Sequence, residues 1–385
     1  MLAARIDRLP EREKAVLQAA AVLGKEFSGP VLQGVAELGA EELEEALREL
    51  VAGDFVFEQE LFPEALYAFK HPLTHEVAYR SQLGERRGRL HAATARAIAE
   101  QYPDRLEERS ALLAQHWEAA GETLEAARWH ARAGAWSGTS APHQSLEHWT
   151  HVRRLADSLP PSEEATMLGL TARIFWLQFA WRLSISREEA ETVYREGERM
   201  ASQAGDLHSR ALLLALYGAI RGVSDGEPAE QARLGREAVA LAEEVGDPTL
   251  YLAVSVNAYA LFVVGDVREG LAILERAIEL ADGDPTLGAG IAVGCPLAYG
   301  LIFKGGLICA MGRTAEARSL IERGMDMARE YGDLELVGWG HMWSTWHAYV
   351  TGDSEAAHAH AQGSLEIAER IGDVFSRTWA WYWLG

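Results

Sequence analysis

The 385-residue sequence has little cysteine and no excess of positive charge. Cys295 and Cys309 are its only cysteines, too few for a disulfide framework, so we expect a reducing compartment, the cytoplasm. Asp and Glu number 57 against 36 Lys and Arg, and the formal net charge is -21. This balance disfavours a broad surface for nucleic-acid phosphates.

The sequence also lacks a secretory signal and an uninterrupted membrane-spanning run. Residues 1–24 contain no basic segment followed by an apolar stretch. Residues 250–265 are uncharged but short for a span, and residues 290–311 are interrupted by Pro296 and Lys304. We therefore predict buried helices and no membrane partner.

Several sequence patterns of catalysis are absent. There is no G-x-x-x-x-G-K-[ST] phosphate loop and no G-x-S-x-G, and His75-Glu76 is not followed by a second histidine at zincin spacing. The thirteen histidines show no spacing that brings together the three or four ligands of a metal site. We predict no catalytic residue, no metal and no cofactor, and hence no enzyme within this chain.

What the sequence does contain is a repeated Gly-Asp pair after an amphipathic helical pattern. The intervals between successive pairs are 41, 37, 49 and 40 residues. Glycine readily adopts the left-handed conformation that ends a helix, and the aspartate can cap the next one. The pairs are Gly205-Asp206, Gly246-Asp247, Gly283-Asp284, Gly332-Asp333 and Gly372-Asp373.

A second marker is a Gly-polar turn followed by a helix start. Small residues stand five and twelve positions after the turn glycine, so they share one helix face and permit close helix pairing. The pairs of small residues are Ala126 and Ala133, Gly270 and Ala277, Ala317 and Gly324, and Ala357 and Ser364.

These markers resemble the tetratricopeptide repeat over residues 105–385. Residues 381–385, WYWLG, fit the W-x2-L-G opening of that family's first helix. The resemblance implies an all-α fold, a right-handed α-solenoid of helix pairs, with an unrelated helical array as the alternative. The period near 40 favours the longer repeats of bacterial regulators. Because the last repeat lacks a second helix to cover it, we expect the sequence to be a piece of a longer protein.

Residues 1–104 lack the period and are predicted to be a separate domain with a connecting helix. Three helices followed by two strands and a further helix predict a small winged-helix domain with a short β-hairpin. The predicted helices cover residues 10–24, 29–38, 40–52 and 72–82, the strands cover 54–58 and 66–69, and a turn falls at Pro63. The third helix carries five glutamates, Glu41 to Glu49, against Arg48, so we do not expect it to bind DNA.

Three blocks of this first domain, residues 2–27, 67–83 and 86–98, resemble the region that follows the nucleotide-binding module in signal-transduction ATPases with numerous domains. That family includes bacterial adenylate-cyclase-associated regulators and maltose-regulator-like transcriptional activators. The resemblance implies an interaction and sensing scaffold, with a protein partner or small-molecule inducer in the solenoid groove. The alternative is part of a nucleotide-dependent enzyme, an adenylate cyclase or ATPase whose catalytic domain lies outside this chain.

The same resemblance assigns a candidate role to His71. In that family a histidine at the start of the last winged-helix helix can contact the β-phosphate of ADP bound to the nucleotide module. His71 matches its position, although Pro72 stands where the family more often has aspartate. The alternative is a histidine that caps or packs at this junction.

Tryptophans supply the other candidate site. Trp339, Trp343 and Trp346 are spaced i, i+4 and i+7 on one face of a predicted first helix. Such a face either forms the core between repeats or lines the concave groove, where aromatic residues anchor a peptide or ligand.

Overall fold

The structure is a computed structural model that describes residues 2–60, 64–183 and 185–385, without the side chain of Thr139. The turn predicted at Pro63 lies outside the described residues. The chain divides into two compact units: unit 1 comprises residues 1–136 and 154–160, and unit 2 comprises residues 137–153 and 161–385. Unit 1 thus extends beyond residue 104, and the repeat start at residue 105 stays a prediction.

Unit 1 contains short helices and a small sheet. Pro10 precedes the second helix, and Ser28 accepts a hydrogen bond from Val31 N at the start of the third. The elements are α1 Leu2–Ile6, α2 Glu11–Leu23, β1 Glu26–Ser28, α3 Gly29–Val35, α4 Ala40–Ala52, β2 Val56–Glu60, β3 Leu66–Phe69, α5 Pro72–Arg80, α6 Gly84–Gln101, α7 Ser110–Ala120 and α8 Thr123–Ser137. The next helix, α9 Pro142–Ser158, contributes residues to both units.

The sheet has three antiparallel strands in the order β1-β3-β2. Phe27 pairs with Tyr67, and Val56 pairs with Phe69. The sequence predicted only the β2–β3 hairpin. Strand β1 was missed because three residues are too few to show an alternating pattern.

Helix α4 shows how the acidic sequence of unit 1 is accommodated. Leu43, Leu47 and Leu50 are buried in the unit's core, whereas the glutamates of this helix are exposed. The 3.6-residue period therefore separates an apolar stripe from an acidic face.

Unit 2 is a solenoid in which successive helices pack against one another. Its elements are α10 Glu163–Ala180, α11 Arg187–Ala204, α12 Leu207–Ala219, α13 Pro228–Val245, α14 Pro248–Val254, α15 Ala258–Val263, α16 Val267–Ala281, α17 Pro296–Ala310, α18 Thr314–Glu330, α19 Leu334–Thr351, α20 Ser354–Ile371 and α21 Val374–Leu384. The predicted all-α solenoid with a small hairpin region is confirmed. Among the described residues, no helix combines the length and the hydropathy needed to cross a bilayer.

The Gly-Asp punctuation is confirmed at four of its five positions. Gly205, Gly246, Gly332 and Gly372 are left-handed, and the aspartate after each one accepts a backbone hydrogen bond at the next helix start. The prediction was wrong at Asp284.

Helix α16 ends one residue before Asp282, which is itself left-handed with φ 45°. Asp284 accepts from the backbone N and hydroxyl of Thr286 and closes only a turn. The next helix, α17, begins at Pro296. This irregular connection explains the longest interval between Gly-Asp pairs.

The small residues permit the close helix approach that their spacing predicts. A Cβ added at Gly324 would lie 2.6 Å from Ile302 Cγ1 and 2.9 Å from the carbonyl oxygen of Ala298. Ala317, seven residues earlier on the same face, is fully buried. Helices α17 and α18 therefore pack with almost no space between their backbones.

Unit 2 curves until early and late helices meet. The ring of Trp181, just after α10, lies 6.1 Å from that of Trp339 in α19 and 6.4 Å from that of Phe375 in α21. These contacts join residues that are more than 150 positions apart in the sequence. Beside them lies an open-sided cavity between the helices, which we call the lumen cavity.

Candidate functional site

The lumen cavity has a volume of about 70 Å³ and is lined almost entirely by apolar side chains. Its described lining contains no histidine, cysteine, carboxylate or basic residue, and its ionisable side chains are the phenols of Tyr259 and Tyr299. The lining residues are Trp181, Leu216, Ala219, Val223, Val256, Asn257, Tyr259, Ala292, Val293, Tyr299, Phe303, Trp339, Met342 and Phe375.

The backbone around the lumen cavity departs from regular α-helix at two places. Helix α12 continues into a π-helical turn at Ile220–Ser224, which brings Val223 to the wall. A 3-10 turn at Ser255–Asn257 separates α14 from α15 and contributes Val256 and Asn257. Interruptions of this kind are frequent at functional sites, where they redirect side chains away from the regular repeat.

Most polar groups of the wall already have protein partners. The Asn257 amide donates to the carbonyl oxygen of Ala215 at 3.1 Å and accepts from Gln231 at 3.2 Å. The Tyr299 hydroxyl donates to the carbonyl oxygen of Val256 at 2.6 Å. Because these groups are satisfied, they do not require a hydrogen-bonding ligand.

Tyr259 differs from the other polar wall residues. No hydrogen bond of its hydroxyl is found in the described part of the chain, and burial raises its pKa above the usual 10.0. A neutral phenol at the wall can give or accept one hydrogen bond. Tyr259 thus contributes to the lining a neutral phenol for which no protein hydrogen bond is found among the described residues.

Stacked aromatic rings form one side of the cavity. The rings of Tyr299 and Phe303 stack with centroids 3.9 Å apart, and Trp339 meets Phe303 edge-on at 5.8 Å. The Trp339 indole N–H donates to Ser376 Oγ at 3.1 Å, which fixes the ring. Burial raises the pKa of Tyr299 well above 10.0, so its phenol stays neutral.

A buried ion pair lies beside Trp181. Arg182 binds Glu335 through two parallel hydrogen bonds of 2.8 Å, and both side chains are less than a tenth exposed. Arg182 also donates to the carbonyl oxygens of Gln178 at 2.6 Å and Ala292 at 3.1 Å. Burial raises the pKa of Glu335, and the charge of Arg182 opposes that shift. Sequence reasoning missed this pair because 153 positions separate its members.

The three tryptophans of the predicted groove site lie in different surroundings. Trp339 lines the lumen cavity, and Trp343 is buried against Phe262 and Phe303. Trp346 is half-buried beside Trp383. The indole N–H groups of Trp343 and Trp346 have no hydrogen-bond partner among the described residues. Their predicted contact with a ligand stays a prediction.

Sequence reasoning did not select Trp181, Tyr259, Tyr299, Phe303 or Phe375 as site residues, although they also line the cavity. Trp181 belongs to a visible tryptophan pair with Trp176, which is the only sequence signal among them. The others lie in apolar helical runs where every position resembles core.

His71 precedes α5 with its side chain exposed and without a capping hydrogen bond. It borders a shallow apolar hollow with Leu2, Leu73 and Thr74, and Leu73 is 64% exposed. The backbone carbonyl of His71, not its imidazole, accepts the hydrogen bond from Thr74 N at 2.9 Å. The imidazole is thus accessible, and its nucleotide contact stays a prediction.

No protein-family model matches the sequence, and no curated protein matches it. Solved structures do match. One is a signal-transduction ATPase with numerous domains and a tetratricopeptide repeat sensor from Pyrococcus horikoshii, with a TM-score of 0.59 and 13% identity over 98% of this chain. This chain spans 54% of that protein, about half its length.

Two further matches extend over nearly the whole of both compared chains. A Rap protein complexed with Competence and Sporulation Factor has a TM-score of 0.52 and 12% identity, covering 96% of this chain and 98% of that one. Aspartyl phosphate phosphatase F from Bacillus subtilis has a TM-score of 0.52 and 11% identity, covering 98% of this chain and 95% of that one. At these identities the similarity shows a shared fold.

Proposed function

We propose that the chain is a sensing and interaction scaffold whose lumen cavity takes an apolar ligand group. The observation that carries this proposal is a cavity in a helical-repeat unit, lined mainly by aromatic and aliphatic side chains, with no charged side chain in its described wall. The fold shared with a protein described as having a repeat sensor, and with a Rap protein solved in complex with a factor, supports it.

The ligand group is uncharged. The wall contains no side chain of opposite charge to compensate a buried ion, and burying an unpaired charge is costly. The shared chemistry is an aromatic or branched aliphatic group with at most one polar atom, which meets Tyr259. It belongs either to a small-molecule inducer or to a side chain of a protein partner.

Isothermal titration with toluene, a neutral single-ring apolar probe, tests this proposal. We expect binding to the full chain, and loss of binding in Ala219→Phe, whose added ring occupies the cavity. Ala229→Phe is the matched control because Ala229 is exposed on α13. Equal binding by both variants would contradict the lumen as the site, and competition by small molecules or by peptides separates the two ligand sources.

For unit 1 we propose a winged-helix domain that docks on the nucleotide-binding module of a longer parent protein. The element order α2-β1-α3-α4-β2-β3 and the antiparallel sheet support this interpretation. In this arrangement His71 faces the phosphates of ADP held by that module. The exposed acidic face of α4 favours contact with a protein surface over contact with DNA.

The docking proposal is tested in a protein that joins this chain to the ATPase module encoded upstream. His71→Ala is expected to accelerate ADP release, and His358→Ala, an exposed histidine of α20, is the control. If both variants release ADP at the wild-type rate, or if no phosphate loop is encoded upstream, the role of His71 fails.

A further inference from the structure

The Arg182–Glu335 pair lies where the two ends of the lumen wall meet. Arg182 follows Trp181, whose ring contacts Trp339 and Phe375, and its guanidinium lies 4.3 Å from the Trp181 ring centroid. Glu335 is in the first turn of α19, one turn before Trp339. The aromatic contacts and the ion pair therefore both hold the residues just after α10 against the late helices of the unit. We call this contact the closure.

The strength of a buried ion pair depends on whether both charges stay paired and shielded from water. Removing its charges from water is costly, and an apolar pair of similar volume often stabilises a fold as well or better. An aromatic wall could therefore be closed permanently by apolar residues alone. An ion pair at this place instead makes the closure sensitive to any change that lets water reach its charges.

The surroundings of the pair add to this sensitivity. Arg182 faces Glu335, while Asp333 and Asp373 lie close enough to act electrostatically on Glu335. Both aspartates are committed to helix starts, where Asp333 accepts from Leu336 N and Asp373 from Phe375 N. The site thus contains one buried arginine, Arg182, and three carboxylates.

The closure is linked to the wall by hydrogen bonds as well. Ser376 donates to Asp373 and accepts from the indole N–H of Trp339. Arg182 also holds Ala292, whose side chain lines the cavity, through its carbonyl oxygen. Movement of Arg182 away from Glu335 would therefore free the start of α19, which precedes Trp339, and shift Ala292.

We propose that the Arg182–Glu335 pair is a releasable clasp that sets the width of the lumen cavity and so limits the size of the apolar group it admits. The clasp rests on the proposed function, because it regulates the same cavity. With the clasp closed, the open-sided cavity of about 70 Å³ admits no more than a single ring or a branched aliphatic group. With the clasp released, α10 separates from α19 and α21, and larger apolar ligands bind.

The test compares a small neutral probe, the single-ring toluene, with a larger one, Nile red, on the full chain. Glu335→Gln and Arg182→Met are each expected to raise Nile red affinity about tenfold, equivalent to about 1.4 kcal/mol. The double variant Arg182→Met/Glu335→Met replaces the ions by an apolar pair and is expected to lower Nile red affinity to the wild-type value or below.

The matched controls are Arg318→Met and Glu322→Gln, which make the same substitutions in an exposed ion pair of α18. Backbone hydrogen exchange supplies an independent readout: the single clasp variants should exchange faster at Gln178–Leu183 and at Asp333–Leu336. Glu335→Gln retains the side-chain shape, so it remains informative if Arg182→Met does not fold.

The outcomes separate this inference from the proposed function. Equal Nile red affinity and exchange in wild type, clasp variants and controls would overturn the clasp. A double variant that behaves like the single variants would also overturn it. If wild type binds neither probe, or Ala219→Phe binds both unchanged, the proposed function itself fails. Binding that Ala219→Phe abolishes, with no clasp effect, leaves the proposed function and removes only the clasp.

Discussion

Two stretches of unit 2 differ in how regular their helices and turns are. The regular stretch, residues 296–384, consists of α17–α21, with short turns and almost no departure from α-helix. The irregular stretch, residues 207–295, contains the π-helical turn, the 3-10 turn and the long connection after α16. Both stretches contribute to the lumen wall, but the departures from regular helix belong to the irregular one.

The difference shows where a cavity can form in a helical-repeat fold. Regular helix pairs bring small residues together until backbones nearly touch, as at Gly324, and leave no space. The π-helical and 3-10 turns shift the following side chains off that register. The cavity lies where shifted side chains meet the stacked rings of α17 and the edge-on tryptophan ring of α19.

The largest expected effect comes from Trp343, which joins the two stretches. It is 3% exposed and packs against Phe262 of the irregular stretch and Phe303 of the regular one. Trp343→Ala is expected to lower the free energy of unfolding by about 3–5 kcal/mol, because it removes a large buried ring. Urea denaturation followed by circular dichroism measures this. Trp381→Ala, at a position 57% exposed, should change it by less than about 0.5 kcal/mol.

The next effect tests the close packing of the regular stretch. Gly324→Ala is expected to cost about 1–3 kcal/mol, because the added Cβ meets the backbone of Ala298, although alanine favours helix more than glycine does. Gly84→Ala, at an open position at the start of α6, is the control and should not destabilise. If Gly324→Ala had a higher free energy of unfolding than wild type, α17 and α18 would be able to move apart without losing stability, which would contradict the prediction.

A smaller effect is expected at the joint between the stretches. Tyr299→Phe removes the hydrogen bond to the carbonyl oxygen of Val256 in the 3-10 turn and should cost about 1 kcal/mol. Hydrogen exchange should accelerate at Ser255–Asn257. Tyr382→Phe is the control because Tyr382 is 77% exposed. Unchanged exchange in Tyr299→Phe would show that the turn is held by packing alone.

A pH dependence is also expected within the regular stretch. His341 Nδ1 lies 3.1 Å from His360 Nδ1, and burial lowers the pKa of His341 from 6.5 to about 4. Between pH 6.5 and 4 the unfolded chain therefore binds more protons than the folded one, so acidification lowers stability. Relative to His341→Asn, wild type should lose more stability between pH 7 and pH 5 in urea denaturation. Equal losses would contradict the depressed pKa.

Much of the fold follows from local chemistry. Glycine ends a helix and aspartate starts the next one through contacts within three residues, so Gly332-Asp333 and Gly372-Asp373 could be interpreted without tertiary information. The same reasoning failed at Asp284, where the aspartate closes a turn. A Gly-Asp pair by itself does not show whether a turn or a helix follows it.

The candidate site was less predictable. Trp339, Trp343 and Trp346 share a helical spacing, but the spacing does not show which of them meets a cavity and which meets another repeat. Only Trp339 among the three lines the lumen cavity. The residues opposite it, Trp181 and Phe375, come from α10's end and from α21, so sequence spacing could not place them together.

The sequence alone determined the helical repeat, its punctuation, the small-residue faces and the absence of a phosphate loop, because each depends on residues within about one helical turn or two. Tertiary structure decided the rest. The lumen cavity and the Arg182–Glu335 pair arise from the curvature accumulated over many helix pairs. Each pair adds a small rotation that no local pattern encodes, and the sum of these rotations brings residues 153 positions apart into contact.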